Sequence, residues 1–302
     1  MNNNINMLDA ILGGLYGLAI GDALGMPSRK WPPQRVRQHF GWIDTFLPCP
    51  VESEASSGHH AGKFTLLTGQ SISVIEQLIE GRLPHTRLPK AADIIHRQET
   101  REAAIWLSPL GCILPTSSPS FFIEQIANAC PQAYSSDIAI AGVTVVAWCL
   151  SRAIEGAGWF IIKHELPALA EDAQNTYLNS YAPSLRRRLE IAIELGHSLK
   201  HLPDGEALYE LSQTIGTGTD CLESIPTALA LIELAETDPV RCAHLAANIG
   251  GDTNVIGAIA TAICGAMNGV NVFPAEWVET IQQANNIDFS LYAQRLRELR
   301  LR

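Results

Sequence analysis

The sequence predicts an all-α fold, and three observations carry that expectation. Apolar residues recur at helical spacing along most of the chain, without a break from residue 119 to the end. No alternating apolar and polar run bounded by Asn-Gly or Asp-Gly turns marks a strand or hairpin. Of the 302 residues, 47% are hydrophobic and 17% charged, a balance that suits one large buried core and excludes a disordered chain. No low-complexity linker and no repeat divides the chain, so a single domain over 1–302 is expected.

Each element follows in order. Residues 8–26 read as a helix carrying glycines at 13, 14, 17, 21 and 25. Glycine costs about 1 kcal/mol per helical position relative to alanine, so this many must serve close packing or a tight turn. Residues 27–54 read as a polar, proline-containing stretch with Trp31, Trp42 and Phe46, and 52–62 as an exposed loop. An amphipathic helix is expected at 70–80 and a short one at 90–97. The apolar segment 103–115 contains a turn at Ser108-Pro109. Helices follow at 119–129, 136–155, 159–176, 184–200, 206–214, 222–235, 239–248, 254–268, 275–284 and 288–301. Asp137 suits the first turn of its helix, and Ser184 and Asp204 suit helix starts.

The formal net charge is −10, with no basic arm and no block of five like charges, which excludes a nucleic-acid binder. The segment 253–275 lacks charge but is interrupted by Asn254, Thr261, Asn268 and Asn271, so it reads as a buried helix and not a membrane span. Seven scattered cysteines without ligand-like spacing read as core thiols in a reducing compartment. The N-terminal MNNNIN lacks the positive region of a signal peptide, and a cytoplasmic protein is expected.

Two glycine–aspartate clusters stand out. The first runs through Gly17, Gly21, Asp22, Gly25 and Pro27; the second is Gly250-Gly251-Asp252-Thr253-Asn254 with Gly257. Each places a carboxylate beside glycines next to a helix. Hard cations favour oxygen donors on such turns, but an aspartate that merely caps a helix or bonds a nearby amide has the same pattern.

Taken together, these segments resemble the ADP-ribosylglycohydrolase family, the type that includes dinitrogenase-reductase-activating glycohydrolase and crystallin J1. The resemblance runs in order through the first cluster, the Gly62–Thr65 approach to a second motif, and Ser108-Pro109-Leu110-Gly111. It continues through Ser136-Asp137, the Gly216-Thr217-Gly218 loop followed by Glu223–Pro226, and the second cluster. It implies a many-helix globule that hydrolyses the glycosidic bond between ADP-ribose and a side chain or small molecule. Active relatives use two Mg²⁺ ions between the second and last motifs, which orient the diphosphoribosyl group and activate a water. The oxocarbenium-like transition state gains from anionic surroundings. The partner implied is an ADP-ribose-like small molecule or an ADP-ribosylated protein.

This sequence departs from the family at the metal. The second motif, Thr-Asp-Asp-Thr in relatives, reads Thr65-Leu66-Leu67-Thr68. The last, Gly-Gly-Asp-Thr-Asp-Thr, reads Gly250-Gly251-Asp252-Thr253-Asn254-Val255. Among the ligand positions only Thr65 and Asp252 keep their residue type, as remnants expected to hold no metal. An acidic position after the first motif falls at Arg29. The local charge swings positive by about five units, where one close pair is worth about 4 kcal/mol. No cofactor is therefore expected, and an Arg29–Asp252 pair is expected in the metal's place. The segment 69–100 reads as shortened.

Asp22, Arg29, Asn254 and the Gly216-Thr217-Gly218 loop are the candidate ligand-binding residues, since glycine loops before helices present amides to phosphates. Asp252 is the candidate catalytic group if the chain is active. His59 and His60 read as solvated loop residues before a zinc site, and Cys112 and Cys221 as core thiols before nucleophiles. The leading expectation is a family member without dimetal hydrolysis, kept as a binding or scaffold protein; lens crystallins of this family use the fold without catalysis. The alternative is a hydrolase of ADP-ribosyl or nucleoside glycosides with a metal-poor site.

Overall fold

In the computed structural model, residues 5–52, 58–82, 100–131 and 136–302 are described, and among them there are fifteen α-helices and no strand. The chain opens with α1 (Met7–Gly25), α2 (Pro33–Phe40), α3 (Leu66–Ile79), α4 (Thr100–Trp106) and α5 (Leu110–Ile113). It continues with α6 (Pro119–Ala129), α7 (Asp137–Ile154), α8 (Trp159–Thr176), α9 (Leu185–Ser198) and α10 (Asp204–Thr214). It closes with α11 (Cys221–Leu234), α12 (Pro239–Asn248), α13 (Thr253–Asn268), α14 (Ala275–Asn285) and α15 (Ser290–Arg300).

The centre of the fold is an antiparallel pair, α1 against α13. Gly13, Gly17, Gly21 and Gly25 face Gly265, Thr261, Gly257 and Thr253, one contact per turn. At Gly21 a Cβ would lie closer than 3.0 Å to the carbonyl of Gly257, so only glycine permits the backbones to touch there. This resolves the glycine load of the first helix: propensity is given up for an approach that an ordinary side-chain interface cannot reach.

α7 is buried on nearly all faces, as its largely apolar sequence requires. Ser136 caps it by accepting from the Ala139 amide, and Asp137 sits in its first turn. By length and composition Met7–Ser28 and α7 could each cross a membrane, but most of each is buried inside the fold, which marks them as core helices. α13 is buried from Thr253 to Ala266.

The expected boundaries hold to within a few residues, with two corrections. The stretch 27–54 contains α2, whose Pro33 at the first helical position fixes φ where no amide donor is needed. α3 begins at Leu66 and not at 70, because Thr65 caps it. Asp204 starts α10 as its first residue, next to the cap at Pro203. Ser184 does cap α9, accepting from Arg187. The short helix expected at 90–97, and most of the segment read as shortened, lie outside the described residues.

Candidate functional site

Asp22 stands on the last turn of α1 and is fully buried. A carboxylate in that position must be hydrogen-bonded, and four donors meet it. Its Oδ2 accepts from the Thr65 amide at 2.9 Å, Thr65 Oγ1 at 3.0 Å and Thr68 Oγ1 at 2.6 Å. Its Oδ1 accepts from Asn254 Nδ2 at 3.1 Å. Thr65 and Thr68 reach the same carboxylate because the side chain of an N-cap lies over the third residue of the helix it starts. Thr65 Oγ1 also accepts from the Leu67 amide, closing the N-terminus of α3. The first, second and last motifs are thus joined at one carboxylate. Thr68 was not singled out from sequence; its spacing from Thr65 was the available signal.

Beside this knot lies a charged pair. Arg29 Nε is 3.9 Å from Asp252 Oδ1; the arginine side chain is 15% exposed and the aspartate fully buried. Arg29 Nε and Asn254 Oδ1 are buried and make no direct hydrogen bond. Backbone bonds hold the two loops together: the Lys30 amide donates to the Gly251 carbonyl at 2.7 Å, and the Gly251 amide donates to the Trp31 carbonyl at 2.8 Å. Lys30 adopts φ +63° to make this clamp, a left-handed conformation that sequence reading did not anticipate. Ser28 Oγ adds a bond to the Ala247 carbonyl, and Thr253 Oγ1 one to the Gly25 carbonyl.

The 216–218 loop closes against the same place. The Asp252 amide donates to the Thr217 carbonyl at 2.7 Å, and Gly251 has no room for a Cβ because Thr217 lies against it. The Gly218 amide, which sequence reading offered to a phosphate, donates to Glu223 at 2.7 Å. Glu223 therefore shapes the loop, a role its sequence position did not reveal.

The donors present do not fit a pair of Mg²⁺ ions. Both Asp22 oxygens are engaged by protein donors, Thr65 Oγ1 gives its proton to one of them, and Arg29 stands at Asp252. Leu66 projects outward, 72% exposed, and Leu67 is buried, so neither motif position offers an oxygen. Among the described residues no three or more His, Cys, Asp and Glu side chains are grouped to hold a metal ion. All seven cysteines are free and buried, and burial pushes the Cys112 thiol up to about 12, which leaves it protonated and a poor nucleophile. His59 and His60 enter the fold through their backbone carbonyls, which accept from Cys49 and Lys63.

With these features in place, the likenesses to known proteins can be set beside them. The family model described as ADP-ribosylglycohydrolase matches residues 3–103 and 97–301. The chain is 39% identical to the uncharacterized protein YegU of Escherichia coli K12, over 97% of both chains. It is 33% identical to the ADP-ribosylhydrolase ARH3 of Gallus gallus over 32% of this chain and 30% of that one. A solved structure titled ADP-ribosylglycohydrolase-related protein complex shares the fold, with a TM-score of 0.67, 20% identity and coverage of 98% and 99%. The chain belongs to the ADP-ribosylglycohydrolase family.

Proposed function

We propose that this protein is a family member whose cleft binds an ADP-ribose-type ligand, free or attached to a protein, without metal-dependent hydrolysis of its glycosidic bond. It acts as a binding or scaffold protein in the cytoplasm, and residues 1–302 form one domain. The observation that carries this reading is the replacement of the metal's place by protein groups: Asp22 saturated by Thr65, Thr68 and Asn254, and Asp252 facing Arg29. A permanently cationic guanidinium supplies positive charge where relatives use divalent ions. It can hold an anionic group of the ligand, but it cannot lower the pKa of a bound water as a metal does.

Calorimetric titration with ADP-ribose, with and without Mg²⁺, paired with an assay for ADP-ribose release from an ADP-ribosylated protein, tests the reading. Binding that is indifferent to Mg²⁺, with no release, supports it. Mg²⁺-stimulated release, or no ADP-ribose binding at all, contradicts it.

A further inference from the structure

A recess of about 360 Å³ lies outside the cleft, between α2 with its following turn and the first half of α10. That volume falls in the range of small-molecule sites. Its walls carry Trp42 and Tyr209, 38% and 48% exposed, together with Arg37, Glu206 and Glu210. The other five tryptophans of the chain, at 31, 106, 148, 159 and 277, are all buried. A large ring left in water is costly, and this one is held in place. Gly41 turns the chain at φ +68°, its amide donating to the Arg37 carbonyl at 2.9 Å. On the other side Asn248 grips Ile43 twice, accepting from its amide and donating to its carbonyl, both at 2.8 Å. The backbone on either side of Trp42 is therefore fixed while the ring faces solvent.

Arg37 is exposed and reaches toward α10. Its guanidinium lies over Gly205, where a Cβ would come closer than 3.0 Å to Nη2. Arg37, Glu206 and Glu210 make no ion pair with one another or with other described residues. The recess thus combines flat aromatic surface with a cation and two carboxylates that form no ion pair among the described residues.

We propose that this recess binds a nucleoside monophosphate. The base packs on Trp42 and Tyr209, the phosphate meets the Arg37 guanidinium, and amine and hydroxyl donors of base and ribose meet Glu206 and Glu210. A ring, an anion and several donors occur together in a nucleotide; an aryl acid lacks the donors and inorganic phosphate lacks the ring. The recess lies near the cleft: Pro33, on its wall, sits against Gly250, two residues before Asp252.

The test is a tryptophan-fluorescence titration with AMP, with adenosine and inorganic phosphate as comparison probes. Saturable quenching by AMP is expected, with adenosine about tenfold weaker and phosphate without effect on the signal. Trp42→Phe removes the quench, Arg37→Gln weakens AMP to the level of adenosine, and circular dichroism checks that both variants remain folded. Arg29→Gln in the cleft leaves the titration unchanged, which separates this site from the one above. No saturable quench at millimolar AMP, a quench that survives Trp42→Phe, equal binding of adenosine and AMP, or loss of the response in Arg29→Gln overturns the proposal.

Discussion

At Asp22 four donors converge on two carboxylate oxygens in the buried interior, and each would be stranded by removal of the acceptor. Asp22→Ala is expected to destabilise the protein by about 3–5 kcal/mol, because buried polar groups left unpaired cost more than a hydrogen bond gains. Denaturant unfolding monitored by circular dichroism measures this; a loss below about 1 kcal/mol would show that the network is not what joins the motifs. Glu233 is a second buried carboxylate, placed away from the cleft. It accepts from Trp159 Nε1 and Lys200 Nζ at 2.7 Å, and from Lys163 Nζ and His197 Nδ1 at 2.9 Å. Burial pushes its pKa up, but donation from Lys200, Lys163, His197 and Trp159 outweighs that and holds it at about 2. The depressed value means that the stabilisation is fully present above the usual glutamate range and is lost as pH falls toward 2. With allowance for the partly exposed lysines, it is worth about 2 kcal/mol. Glu233→Gln is expected to be less stable at pH 7 and to lose less on acidification between pH 5 and pH 2 than the parent, as read from urea midpoints. Parallel acid profiles of the two proteins would contradict this.

Among the elements, the α1–α13 pair makes the strongest demand on sequence. Gly21→Ala adds helix propensity worth about 1 kcal/mol, yet its methyl has no space against Gly257. The prediction is net destabilisation of about 2–3 kcal/mol, measured by thermal or denaturant unfolding, whereas a neutral or stabilising effect would show that the helices can part at little cost. This pairing explains what could be read beforehand. A glycine every four residues announces a close contact on one helix, but the partner carries Gly257 and Gly265 among threonines and alanines, and only the folded chain reveals the register. Most helices were legible because their apolar spacing and caps agree, as at Ser136 and Ser184. α2 was not, because the prolines that start it, Pro32 and Pro33, lie in a stretch read only as polar and proline-containing. The identities of Leu66, Leu67 and Arg29 could be read at once from departures in otherwise matching motifs. The roles of Thr68, Lys30 and Glu223 could not, since each depends on a backbone approach between segments far apart in sequence.

For the molecule as a whole, the C-terminal helix is tied to the body by Arg300. One of its guanidinium nitrogens donates to the carbonyls of Gly111 and Leu114 at 3.0 Å and the other to Ser151 Oγ and Glu155. Few side chains satisfy so many acceptors at once, and Arg300→Ala is expected to cost about 2–4 kcal/mol. Hydrogen exchange should then show earlier opening of α15 than of α1 or α13; uniform exchange across these helices would argue against such a latch. The broader consequence concerns the cleft. The family fold brings three motifs to one place, and in this chain that place is held by a carboxylate with its acceptors engaged and a guanidinium facing Asp252. These groups are expected to exclude a binuclear metal centre. Direct titration with Mn²⁺, followed by electron paramagnetic resonance, tests this against a variant carrying Arg29→Glu, Leu66→Asp, Leu67→Asp and Asn254→Asp. No saturable uptake by this chain at millimolar Mn²⁺ and a recovered site in the variant are expected; stoichiometric binding of two ions by this chain would contradict that exclusion.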